Sequence, residues 1–190
     1  MILPIRAFGD SVLRKVGKDI DKDYPGLQEL IDNMFETMYS ANGIGLAAPQ
    51  IGLDIRLFVI DVTPLADDED YEDIKDELAA FKKVFINAQI LEESGEEWKF
   101  NEGCLSIPDV REDVKRKETI VIEYYDENFV KHTETFSDIR ARVIQHEYDH
   151  IEGVLFTDHL SALKKKLVKG KLTKITQGEV SINYKMRFPK

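Results

Sequence analysis

The chain holds one cysteine in 190 residues, Cys104, so no disulfide can close within it. A lone thiol fits a reducing compartment, and by itself is most often a small buried hydrophobe. Long apolar runs are also missing. The longest, such as Leu57 to Ile60 and Thr119 to Ile122, have strand length, far short of the roughly 20 residues of a membrane span. The start, Met1 to Phe8, carries one Arg and an apolar run broken by Pro4, too short for a secretory signal and without a cleavage pattern. Internal repeats and low-complexity linkers are absent as well. A disulfide scaffold, a membrane protein and a solenoid are thereby excluded, and a cytoplasmic protein without a membrane partner is expected. With 43% hydrophobic residues, the length fits a single globular domain over 1–190 with its own core.

Positive charge is scarce except at one end. The net charge is −10, yet Asp158 to Lys190 carries +7, which leaves −17 on the body. So acidic a body argues against DNA as a partner, while the basic extension at about 160–190, a helix from Leu160 to Thr176 and then a strand from Val180 to Phe188, requires a reading of its own.

Apolar spacing at Leu27, Leu30, Ile31, Met34, Phe35 and Met38 predicts a helix from Asp23 to Tyr39, with Asp23 as cap and Pro25 in the first turn. Gly43 to Gln50 reads as a loop or irregular strand, Ile55 to Ile60 as a buried strand and Val84 to Asn87 as a short one. The acid-rich stretch 61–77 reads mostly as a solvated insertion, and Glu92 to Glu97 as a turn. Thr119–Tyr125 and Phe129–Phe136 form a hairpin by pattern. Ser137 is placed to cap a helix running to Glu152 and stopped by Gly153. Many short strands around few helices point to an α+β fold.

The sharpest motif is His146-Glu147-Tyr148-Asp149-His150, an HExxH inside that last helix. Residues four apart share a helix face, so His146 and His150 can reach one ion together while Glu147 meets a water beside it. A catalytic site of this kind needs a third protein ligand and an open position. Downstream, Gly153 fits the metzincin spacing, but Phe156 stands where the third His is required. His159 reads as an ordinary polar residue, and Glu152 comes too soon to share the face. Upstream, Cys104 lies in the irregular segment Glu102–Pro108. A thiolate with two imidazoles suits zinc, ferrous iron, nickel or cobalt. Spacing alone does not close the 42 residues from Cys104 to His146, and an HExxH peptidase or a closed structural metal site stays open at this point.

Three segments, in order, resemble the peptide deformylases of bacterial type: Gly43-Ile44-Gly45-Leu46-Ala47-Ala48-Pro49-Gln50, Glu102-Gly103-Cys104-Leu105-Ser106 and Gln145-His146-Glu147-Tyr148-Asp149-His150. The resemblance implies antiparallel sheets packed around a central helix that carries the HExxH motif. It implies hydrolytic removal of the formyl group from the N-terminal formylmethionine of nascent polypeptides, with release of formate, by a metal-bound water and a Glu acid/base. It gives Cys104, His146 and His150 as ligands of one divalent ion, Fe2+ first, with Zn2+, Ni2+ or Co2+ able to substitute. Glu147 becomes the acid/base, and Gln50 and the Leu105 N–H the oxyanion donors. Gly45 would hold the peptide main chain. Ile44, Ile139 and Val143 would line the methionine pocket, with Glu102 and Arg111 near the substrate. From the residues themselves, Glu102 is expected to accept from a main chain or to hold Arg111, Asp149 to orient a ligand histidine, and Arg142 to snorkel to the pocket mouth. The tail after Leu160 matches the family poorly; its clustered Lys164, Lys165, Lys166, Lys169, Lys171 and Lys174 are, by charge, expected to face ribosomal RNA or to form a solvated helix face.

Overall fold

The computed structural model describes residues 1–189. Strands β2 (Gly45–Ala47), β3 (Leu57–Asp61), β4 (Lys82–Cys104), β5 (Ile107–Tyr125) and β6 (Lys131–Ser137) form one antiparallel sheet in that order. A second, two-stranded sheet pairs β1 (Ile5–Arg6) in parallel with β7 (Met186–Arg187). Helices α1 (Leu27–Ser40), α2 (Lys75–Ala79), α3 (Asp138–Ile151) and α4 (Ala162–Thr176) complete the α+β architecture, with α3 carrying the HExxH residues. None of the helices described is long and apolar enough to cross a membrane.

β3 explains why the large sheet is covered on both sides. All five of its residues are buried, and successive side chains point to opposite faces. Leu57 and Val59 pack with Ile31, Met34 and Met38 of α1. Phe58 and Ile60 pack with Phe85, Tyr124, Phe136 and the α3 residues Ile139 and Ile144. Each such side chain contributes roughly 1.5–3 kcal/mol when fully buried, so α3 is clamped to the sheet along its whole apolar stripe. A third cluster joins Val110 and Val114 of β5 to Phe156, Leu160 and the inner face of α4.

Several local expectations are corrected. α1 starts at Leu27, not Asp23. Asp21 accepts from the Asp23 N–H at 2.9 Å and Leu27 closes a second turn onto Tyr24, so the chain spends Pro25 in turns before the helix begins. Glu92–Glu97 is no chain reversal. It lies within β4, where Gly95 at φ +80° permits a bulge between Ser94 and Glu97. Of the acidic stretch, residues 67–77 form short helical turns with exposed carboxylates while Tyr71 and Ile74 pack on the core; Asp61 is instead buried at the end of β3, accepting from the Tyr39 and Thr63 hydroxyls, and Val62 and Ala66 join the core. Ser137 does not cap α3 through its side chain. Asp138 does so instead, accepting from the Arg140 N–H at 2.9 Å. The expected strand from Val180 shrinks to Met186–Arg187.

Candidate metal centre and hydrolytic site

β4 ends at Cys104 and β5 starts at Ile107, so Leu105 and Ser106 form a tight turn at the sheet end nearest α3. That turn closes the 42-residue gap: one ligand atom each from Cys104, His146 and His150 lies within 4.8 Å of the others. Cys104 Sγ stands 3.3 Å from His150 Nε2. Burial alone would push the thiol up, but the charge on His150 and hydrogen bonds from both histidines outweigh it and hold Cys104 at about 5. The thiol is thus poised as a thiolate, the form that binds metal.

Glu102 sets the orientation of His146. Its Oε2 lies 3.0 Å from His146 Nδ1. Burial would lower the His146 pKa, but its hydrogen bonds to Cys104 and Glu102 win and raise it well above the usual value; with Nδ1 fixed on Glu102, Nε2 faces the thiolate, and a bound ion would take the place of the Nε2 proton. The same carboxylate accepts from Arg116 Nε at 2.8 Å and Nη2 at 3.0 Å, and from Arg142 Nη1 at 2.9 Å. Burial would raise its pKa, but the bonds from His146 and Arg116 win and keep it well below the ordinary carboxylate range. All of its acceptor capacity is directed into the protein. Arg111 is not its partner: that side chain is exposed and binds Asn101 Oδ1 at 3.0 Å and the Asn101 carbonyl at 2.6 Å.

Two further expectations change here. Arg142 does not snorkel. It is 1% exposed, its charge matched by Glu102 and by the carbonyls of Val114 (3.2 Å) and Trp98 (2.7 Å), with its guanidinium 4.4 Å from the Trp98 ring centre. Asp149 does not touch a ligand histidine. It binds Arg116 Nη1 and His159 Nε2, each at 2.8 Å, so it buttresses the arginine that holds Glu102.

Glu147 is 4% exposed, and its Oε2 is buried without a partner among the described residues. Burial pushes it up to about 7 against the pull of His146 and His150. Gly45 makes room for it: a Cβ there would stand 2.8 Å from the Glu147 carboxyl carbon. Gln50, 1% exposed, has its amide direction fixed. Oε1 accepts from the Ala47 N–H at 2.8 Å, which turns Nε2 toward Cys104 Sγ at 3.5 Å and Ser106 Oγ at 3.3 Å. The Leu105 N–H has no partner among the described residues. Gln50, Leu105, Glu147, Cys104 and His146 therefore line one cleft of about 770 Å³, and His150 meets it from behind through Cys104 Sγ.

The cleft is lined by Ile44, Gly45, Val143, Glu102 and Arg111, among others. Ile139, 1% exposed, sits behind it in the core with Phe136 and Ile144. Sequence reasoning missed Arg116, Phe100 and Tyr184. Phe100 lines the cleft from the strand position two before Glu102, on the same strand face, and this spacing was the available signal. Arg116 and Tyr184 carried none, because their partners lie far away in the chain.

Comparison with known proteins gives the family. The polypeptide deformylase family model matches residues 2–166. The chain is 65% identical to a peptide deformylase of Christiangramia forsetii over 190 residues, covering all of this chain and 97% of that one. It is 64% identical to one of Flavobacterium johnsoniae, covering 99% and 96%. Among solved structures it is similar to a peptide deformylase from Legionella pneumophila, with a TM-score of 0.79, 37% identity, and 94% and 98% of the two chains covered. Matched along nearly its whole length, the chain belongs to the polypeptide deformylase family.

Proposed function

We propose that Cys104, His146 and His150 hold the divalent ion of a hydrolase in which Glu147 moves the protons. The activity is that of the family: removal of the N-terminal formyl group from nascent peptides, with release of formate. The observation that carries the residue assignment is the convergence of the three ligand atoms beside a buried, partnerless carboxyl. The donor set fits an ion. One thiol is held as thiolate, one imidazole has its far nitrogen bound to a carboxylate, and the other turns Nε2 toward the sulfur. When bound, the ion supplies Lewis acidity, which lowers the pKa of water toward 7 and polarises a carbonyl. Fe2+ is our first choice, with Zn2+, Ni2+ or Co2+ able to take its place on these ligands.

The chain's own residues then do the following. Glu147 accepts a proton from the attacking water and returns it to the amine nitrogen as the formyl C–N bond breaks. Gln50 Nε2 and the Leu105 N–H donate to the developing oxyanion, each worth about 3–4 kcal/mol if typical of such donors. The Gly45 main chain holds the substrate backbone. Ile44 and Val143 receive the methionine side chain, with Ile139 supporting that wall from behind, and Arg111 stands at the mouth. Glu102 acts on substrate only through His146. Residues 1–190 work as one catalytic unit, in the cytoplasm where nascent chains emerge. The test is formate release from a formyl-Met tripeptide by anaerobically purified protein. Release should be abolished by a chelator and restored by Fe2+; release that survives full metal removal would sink the reading.

We further propose that α4 meets ribosomal RNA. Lys165, Lys166, Lys169, Lys171 and Lys174 are exposed on it, whereas Lys164 is tied to Glu112 at 2.9 Å. Phosphate contact predicts ribosome co-sedimentation that falls as salt rises and is lost when the exposed lysines become Glu. Sedimentation unchanged by that substitution would end the proposal.

A further inference from the structure

The chain between α4 and β7 forms neither the expected strand nor a free tail. Ser181, Ile182, Asn183 and Tyr184 line the same cleft as Gly45, Glu147 and Leu105. Their main-chain N–H and C=O groups have no partner among the described residues. Yet the segment is pinned on both sides. Before it, the Glu179 N–H bonds the Lys174 carbonyl at the end of α4. After it, the Lys185 and Arg187 carbonyls each accept at 2.9 Å from the N–H groups of Ile5 and Ala7. Within it, Tyr184 Oη donates to the Leu105 carbonyl at 2.8 Å. Exposure alternates along the segment, with Ser181 and Asn183 open and Ile182 and Tyr184 half-buried, as in a strand with one face inward.

We propose that Ser181–Tyr184 are a strand edge for the peptide chain that follows the formylated residue, so that an extended substrate pairs its backbone with this segment while its formyl end reaches Glu147. Three arguments support this. Unpaired backbone groups lining a cleft are the hallmark of recognition by strand addition, where main-chain bonds supply affinity with little regard to side chain. That suits an enzyme that must accept every nascent chain. The edge is fixed before substrate arrives, so little ordering cost falls on binding. And a cleft of about 770 Å³ lies high in the range of roughly 300–1,000 Å³ for pockets that take in a drug-sized ligand, beyond one methionine side chain. Tyr184 serves as the tether. Its phenol is pushed up to about 12, by burial first and then by the nearby Cys104 charge, so it stays a donor at every working pH. It fastens the edge to Leu105, the residue assigned above as an oxyanion donor, and so sets the register between downstream peptide and scissile bond.

The proposal deepens the hydrolytic reading and rests on it. The experiment compares kcat/KM of the iron-loaded enzyme for formyl-Met methylamide, a formyl-Met tetrapeptide, and the same tetrapeptide with its third and fourth residues N-methylated. Two net main-chain hydrogen bonds predict that the tetrapeptide is better than the methylamide by about tenfold or more, mainly through KM, and that N-methylation removes most of this gain. The series is repeated in Ile182→Pro, which deletes an N–H the fold does not use, and in Tyr184→Phe, which cuts the tether. In Tyr184→Phe the cost of N-methylation should shrink toward onefold, because the edge carbonyl that accepts the substrate N–H is no longer held in place; in Ile182→Pro, which removes an edge donor to a substrate carbonyl, the advantage of the tetrapeptide over the methylamide should itself fall. An equal cost of N-methylation in wild type and Tyr184→Phe, or an undiminished tetrapeptide advantage in Ile182→Pro, overturns the proposal. If neither variant folds, the absence of any N-methylation cost in the wild type overturns it alone. No turnover of either parent substrate, with iron confirmed, would overturn the hydrolytic reading together with this one.

Discussion

Glu147→Gln is expected to lower kcat by about 10²–10⁴-fold while the protein keeps its metal. A positioned acid/base is worth that range. The substitution isolates it, since Gln preserves shape but cannot carry the proton from water to amine. Glu147 is not among the three converging ligands, so metal content, measured by elemental analysis, should not change. The carboxyl also stands where ionisation is costly. Its pKa in the fold is about 7, raised by burial from 4.5. The sign of the stability effect follows. The unfolded chain loses this proton first, so stability falls as pH rises from about 4.5 to 7, and the loss is complete above the folded value. In metal-free protein at pH 8 the Gln variant should therefore melt no lower than wild type. A variant within tenfold of wild-type kcat would remove Glu147 from the chemistry, and a variant that loses metal would mean the carboxylate is a ligand.

How much of this was legible follows from where each partner sits in the chain. His146, Glu147 and His150 lie within one helical turn and a half, so helix periodicity places them together without tertiary knowledge. β3 was legible too, because a fully buried strand is a short continuous apolar run bounded by polar residues. The long β4–β5 ribbon was not. Its middle is solvated on both faces, so Glu92–Glu97 carries no apolar alternation, and Gly95 reads as a turn where the chain only bulges. The first helix was set about one turn too early, because Asp21 accepts from the Asp23 N–H and holds Asp23 in a turn, a local side-chain bond that competes with the helix. Arg142 shows the deepest limit. A charge on the stripe facing the cleft reads as something that must escape to water. Its burial is decided by Glu102, Trp98 and Val114, between 28 and 44 residues away, and no local pattern reports an arginine satisfied by distant carbonyls. Cys104 was legible as the upstream candidate for the third ligand, but not that it meets the histidines, since the turn that delivers it is a product of the whole sheet.

The same network yields the second large effect. Glu102→Ala should cost about 3–5 kcal/mol of stability, because it leaves buried guanidinium charge uncompensated. For a chain of this size that is a fall in Tm of roughly 10 °C. Arg116 keeps Asp149 as a partner at 2.8 Å, so the more orphaned group is Arg142, 1% exposed and with no other carboxylate bound. Metal affinity should fall as well, by about 10–100-fold, because His146 loses the bond that holds its Nδ1 proton. The double variant Glu102→Leu with Arg142→Leu separates the two roles. Removing both charges takes away the buried mismatch, and replacing a buried pair by apolar groups is often near neutral, so much of the Tm should return. The His146 ring stays without its carboxylate, so the metal affinity should not. Acid adds a check on sign. Glu102 is held far below its ordinary value, so its stabilisation is complete above the unfolded pKa near 4.5 and is lost only as pH drops toward the folded value. Wild type should therefore lose more stability than the double variant below pH 4. Recovery of both Tm and metal affinity in the double variant would show that Glu102 merely neutralises the arginines and does nothing for the metal centre.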